Sequence, residues 1–146
     1  MRRKLFLAIL LVGASGCAGA DTIDAEEFVD GERKLTDDRA FAVELWHEDG
    51  APVVGENDFL FRIEFPDPNN PGEGMGIPAA RIAVDCWMPN ADHAMPANPM
   101  VIPGPAGDYQ LAHIMFDEAG VWQLDFEIAV GNTMVDTVTY TFTVEE

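Results

Sequence analysis

From Phe41 to the C-terminus apolar and polar residues take turns, the period-two pattern of half-buried strands. Phe41, Val43 and Leu45 oppose Ala42, Glu44 and Trp46, and Glu48-Asp49-Gly50 closes that run as a turn. Val53 to Gly55 leads into a second strand with Phe59, Phe61, Ile63 and Phe65 on one face and Arg62 and Glu64 turned toward water. Ile82, Val84, Cys86 and Met88 make the apolar face of a third, opposite Arg81, Asp85 and Trp87. Tyr109 to Phe116 is apolar on both faces, the mark of a strand inside a sheet. After a turn at Glu118-Ala119-Gly120, Trp122, Leu124, Phe126, Ile128 and Val130 alternate with Gln123, Asp125 and Glu127. Gly131-Asn132 predicts a hairpin into Met134–Val144, where Val138, Tyr140, Phe142 and Val144 alternate with threonines. Six to seven strands, short turns and no strong helical period predict an all-β fold, an immunoglobulin-like β-sandwich of antiparallel strands.

Three stretches break the alternation. Residues 66–78, Pro-Asp-Pro-Asn-Asn-Pro-Gly-Glu-Gly-Met-Gly-Ile-Pro, read as a loop that is neither strand nor helix. Their oxygen donors Asp67, Asn69, Asn70 and Glu73 do not follow the EF-hand spacing, so solvated turn chemistry is the reading. Residues 18–39 carry Asp, Glu and Gly with little apolar period, which predicts an acidic tether with a short helix over Asp24–Val29. The segment between Met88 and Tyr109 is a long connection.

Residues 1–16 stand apart from the domain. Arg2, Arg3 and Lys4 precede an apolar run from Leu5 to Val12, and Ala14-Ser15-Gly16 offers a small-residue cleavage site before Cys17. The run is well short of the roughly 20 residues that span a bilayer. This pattern resembles the lipobox of bacterial lipoproteins, with Ala14 where Leu is commoner. The resemblance implies loss of 1–16, acylation of Cys17 and a lipid-membrane anchor, hence a cell-envelope protein, periplasmic or outer-membrane associated. The expected organisation is a lipoprotein signal peptide over 1–16, an acidic tether over 17–39 and a sandwich domain over 40–146.

Charge and cysteine content narrow the partners. The chain carries a formal charge of −18, and loss of 1–16 removes three of its eight basic residues and no acidic one, leaving −21. Such a surface repels phosphate backbones and excludes a nucleic-acid partner. With Cys17 acylated, Cys86 has no intrachain mate; it is buried, paired with another chain, or a ligand. Stability then rests on an apolar core, which a 48% hydrophobic chain with nine Phe and three Trp can supply.

The chemistry concentrates between Cys86 and Met100, which gathers a thiol, three thioethers (Met88, Met95, Met100), the His93 imidazole and three prolines. His93-Ala-Met95 is echoed by His113-Ile-Met115. In extended backbone, residues two apart project to one side, so an imidazole and a thioether so placed can converge on one ion. Thioether sulfur favours Cu(I) over zinc or calcium. Cys86 and Met88 read equally well as core residues, and His113 as ligand or hydrogen-bonded core histidine. His47, beside Glu48 at a strand end, reads as solvent-facing.

Enzyme readings find little purchase. Ser15 is the only serine, so the mature chain has no serine nucleophile. Cys86 lacks a basic neighbour, and there is no His-Glu-x-x-His, phosphate loop or dinucleotide fingerprint.

From about Phe41 onward the chain resembles the YtkA-like domain, an immunoglobulin-like module of bacterial exported proteins. The residues that carry the likeness are Val54-Gly55-Glu56-Asn57, Met88-Pro89 with His93 and Met95-Pro96, Gly107-x-Tyr109, and Phe116-x-x-x-Gly120-x-Trp122. The resemblance implies metal handling, since such modules occur near or fused to copper and heavy-metal systems. Two positions depart from it: Ala91 stands where relatives often have a second histidine, and Glu118 where they often have methionine. The expectation is therefore a non-enzymatic, membrane-anchored protein binding Cu(I) or a similar soft ion. His93 and Met95 are the primary ligands, with Met88, Met100, His113 and Met115 as candidates and copper-handling or metal-efflux envelope proteins as partners. The rival is a metal-free assembly module of the envelope whose Met-Pro loop only packs the end of the sandwich.

Overall fold

The alternating runs become two antiparallel sheets in the computed structural model, which describes residues 22–146; the expected signal peptide and Cys17 lie outside the described residues. The strands are β1 (Glu32–Leu35), β2 (Ala42–His47), β3 (Gly55–Asp67), β4 (Asn70–Gly76), β5 (Arg81–Met88), β6 (His93–Ala94), β7 (Met100–Pro103), β8 (Asp108–Phe116), β9 (Gly120–Val130) and β10 (Met134–Val144). The larger sheet runs β1-β2-β3-β8-β7, with β4 on the far end of β3; the smaller runs β10-β9-β5-β6. A single 3-10 turn at Pro105–Gly107 is the only helical element among the described residues. The result is the expected all-β sandwich, and β8 lies inside its sheet as its two apolar faces required.

The inward faces meet in an aromatic core. Phe59, Phe61, Phe116, Trp122 and Phe126 are all buried, and Phe59, Phe116 and Phe142 lie with ring centroids 6.0–6.3 Å apart. Each such side chain removed from water contributes about 1.5–3 kcal/mol. Tyr140 crosses the core to donate its hydroxyl to the Val43 carbonyl at 2.8 Å, and burial pushes its pKa well up.

Five expectations are corrected. The acidic stretch 17–39 is not a tether throughout: Glu32–Leu35 pairs with Ala42–Leu45, and Glu26 bridges Phe142. No helix forms over Asp24–Val29; instead Phe28 packs against Phe59 and Phe142 at 5.9 and 5.4 Å, one apolar anchor in a polar stretch. Within 66–78, Asn70–Gly76 is a strand paired with the end of β3, and Gly76 lies against the Ala106 carbonyl where a Cβ would not fit. There glycine permits close approach rather than breaking the strand.

Glu64 does not face water. It is buried, accepts from Arg62 Nε at 2.7 Å and from Arg33 Nη1, and although burial pushes its carboxyl up, these hydrogen bonds hold it below the usual range. His47 is likewise buried, its Nδ1 donating to the Gly50 carbonyl at 2.9 Å and its ring 4.9 Å from that of Phe59.

Candidate metal centre

The supposed long connection after β5 is two short strands. A tight bend ending at Asp92, whose φ of +49° is left-handed, returns the chain as β6. Met88 then pairs with His93, so thioether and imidazole start from the same face of the sheet. That face is the inner one, since Cys86 and Met88 are buried while Asp85 is exposed. Past β6 the Met95 N–H donates to the Cys86 carbonyl at 3.0 Å, which folds Met95 into a buried position. In the same bend Asn90 clasps the N-terminal segment: its Oδ1 accepts the Ile23 N–H and its Nδ2 donates to the Ile23 carbonyl, both at 2.9 Å.

The other side of the site comes from the β8–β9 turn. His93 Nε2–H donates to both carboxylate oxygens of Asp117, at 2.9 and 3.0 Å. A carboxylate there fixes the tautomer and leaves the Nδ1 lone pair free to ligate. The Trp122 ring stands edge-on to the imidazole, centroids 5.9 Å apart, with its Nε1–H on the Glu118 carbonyl at 3.0 Å. Gly120 has a φ of +145°, and a Cβ there would come within 2.7 Å of Met88 Cε. The Met88 methyl end could swing aside, so it is the positive φ that favours glycine where the turn closes over this thioether.

Met95 fills an uncovered edge. β7 pairs with β8 only as far as Met100↔Ala112, and beyond it the Met115 N–H donates to Met95 Sδ at 3.1 Å. A surface cavity of about 430 Å³ opens beside these donors, lined among others by Cys86, Asp92, His93, Met95 and Pro99. Burial, with the Asp117 charge adding to it, pushes the Cys86 thiol up to about 12. At neutral pH it is a thiol, not a thiolate. Among the described residues no three His, Cys, Asp or Glu side chains form a metal cluster.

The six residues expected as ligands fall into two groups. Met88 pairs with His93 on β6, and His93 and Met95 line one cavity at the edge of the smaller sheet, with Met88 and Met95 buried and His93 half-exposed. His113 and Met115 alternate with the fully buried Ile114 and Phe116 and project from the outer face of the larger sheet, while Met100 is 53% exposed. Cys86 faces inward as expected. The sequence reading did not name Asp117 or Trp122 as neighbours of His93.

No family model and no curated protein matches the chain. Solved structures match in fold. FetP of uropathogenic Escherichia coli strain F11, expressed in the periplasm of E. coli, aligns with a TM-score of 0.56 at 15% identity over 82% of this chain and 97% of its own. A copper-bound variant of FetP gives 0.54 at 15% identity, over 82% and 97%. Copper-reconstituted P19 from Campylobacter jejuni gives 0.51 at 16% identity, over 79% and 94%. At these identities the likeness is one of fold.

Proposed function

We propose that this protein is a lipid-anchored, extracytoplasmic, non-enzymatic β-sandwich that binds Cu(I) or a similar soft ion through His93 and Met95, with Met88 as a further sulfur donor. The observation that carries this reading is the Asp117-fixed imidazole of His93, its Nδ1 free, beside a cavity walled by Cys86 and Met95. The donors fit the ion: imidazole nitrogen and thioether sulfur suit Cu(I) and disfavour calcium or magnesium. Asp117 strengthens the imidazole as a donor, as carboxylates behind metal-ligating histidines do. FetP and P19, which share the fold, have been solved with copper, and the YtkA-like resemblance points the same way.

When bound, the ion supplies no group transfer in this reading; the site stores and releases it. Acylation of Cys17 would keep the domain on the membrane, in the compartment where FetP was expressed, among copper-handling or metal-efflux proteins of the envelope. A nucleophilic role for Cys86 is disfavoured by its raised pKa. The competing metal-free reading draws on Met95 and Met88, which already pack against Met115 and Gly120.

One titration separates the two. Reduced protein in competition with a Cu(I) chelator should take up the ion while Trp122 emission changes, and His93→Ala should weaken uptake about 100-fold, or about 2.7 kcal/mol. Absence of uptake, or uptake indifferent to His93→Ala, removes the proposal.

A further inference from the structure

A second pair of soft donors lies on the outer face of the larger sheet. Asn57 pairs with Ile114 and Phe59 with Leu111, so Ala112 and His113 together oppose Asp58. This is a β-bulge, a device that re-aims a side chain. His113 occupies it at a φ of +62°, with its N–H on Asp58 Oδ1 at 3.0 Å. Its ring is turned to solvent, and Nδ1–H donates to Glu56 Oε1 at 2.7 Å. That bond leaves the Nε2 lone pair facing water. Glu56 is also the cross-strand partner of Met115, whose thioether is 40% exposed. Imidazole, carboxylate and thioether thus share one patch, with a left-handed histidine held where glycine would sit without strain.

We propose that His113 Nε2 and Met115 Sδ form a second, solvent-facing site for a soft monovalent ion, with Glu56 orienting the imidazole. The proposal rests on the copper reading and deepens it by giving the cavity site a receiving station. The Met115 N–H is bonded to Met95 Sδ, so one residue of β8 touches the inner donors with its backbone and offers an outer donor with its side chain. Two donors open to water bind more weakly than the cavity pair His93 and Met95 backed by the buried Met88, the order that inward transfer requires.

Ag(I), a redox-inert probe of the same softness, tests this by native mass spectrometry and by NMR of the methionine methyls. The protein should bind two ions, the tighter step shifting Met95 and Met88, the weaker step shifting Met115. The paired substitution His113→Ala and Met115→Leu should remove the weaker step alone, and His93→Ala the tighter step alone. A single step in the unaltered protein that leaves Met115 unmoved overturns the proposal, as does a weaker step that survives the paired substitution. A weaker step at Met115 with no tighter step supports this site and sinks the copper reading of the cavity.

Discussion

His93-Ala-Met95 and His113-Ile-Met115 have the same local spacing and opposite fates. Each histidine gives one N–H to a carboxylate, Asp117 for the first and Glu56 for the second, and keeps the other nitrogen free. Of the first pair, His93 sits half-exposed on a two-residue strand at a sheet edge, and Met95 just past it is buried beside Cys86. The second rides a bulge on a strand inside the sheet and faces water. A two-residue step sets only that two side chains share a face. Which face is set by pairing register, a tertiary quantity.

The contrast can be broken most directly at its methionines. Met95→Ala should destabilise by about 2–3 kcal/mol, the lower part of the range for a buried methionine, and Met115→Ala by no more than about 0.5 kcal/mol. Urea unfolding measures both, and equal losses would erase the inside–outside distinction. Gly120→Ala should cost about 1–2 kcal/mol, from its left-handed φ and the contact with Met88. Thermal melts check this, and an unchanged midpoint would mean that neither the φ of Gly120 nor its contact with Met88 constrains the turn.

At the outer pair, His113→Gly should be neutral to stabilising by up to about 1 kcal/mol, and His113→Val destabilising by about as much, because only the first is at ease in the bulge. Calorimetry that ranks them the other way removes the strain from the argument.

A control lies far from both pairs. Burial raises the Asp136 carboxyl, but the Thr36 hydroxyl and the amides of Asp38, Ala40 and Thr137 outweigh it and hold the group below its ordinary range. Its contribution to stability is therefore complete above the unfolded carboxylate value of about 3.9 and is lost as pH falls through the lower folded one. Asp136→Asn should flatten that acid-side slope in unfolding curves and leave ion binding at both histidines unchanged; a changed affinity would tie the two histidine sites to the clamp on the N-terminal segment.

Strands with one face on the core were legible because burial enforces alternation: Trp122 to Val130 could hardly be anything else. β1 was not, since Glu-Arg-Lys-Leu shows no apolar face and forms by extending an existing sheet. β4 was hidden because its glycines look like turn signals, while Gly74 and Gly76 in fact allow close approach to Phe65 and Ala106. His93 stood out as an imidazole that packing did not explain. Asp117 could not, being one of 26 acidic residues and 24 positions away. The outward turn of His113 depends on Asp58, whose place opposite the bulge no local pattern announces.

In the lipid-anchored reading proposed above, the grip of Asn90 on Ile23 would limit how far the domain could stand from a bilayer. Cys17 stands six residues before Ile23, at most about 20 Å of extended chain. An acyl group on Cys17 would hang the sandwich on that short leash with the bend between Met88 and His93 lowermost, grazing the lipid headgroups.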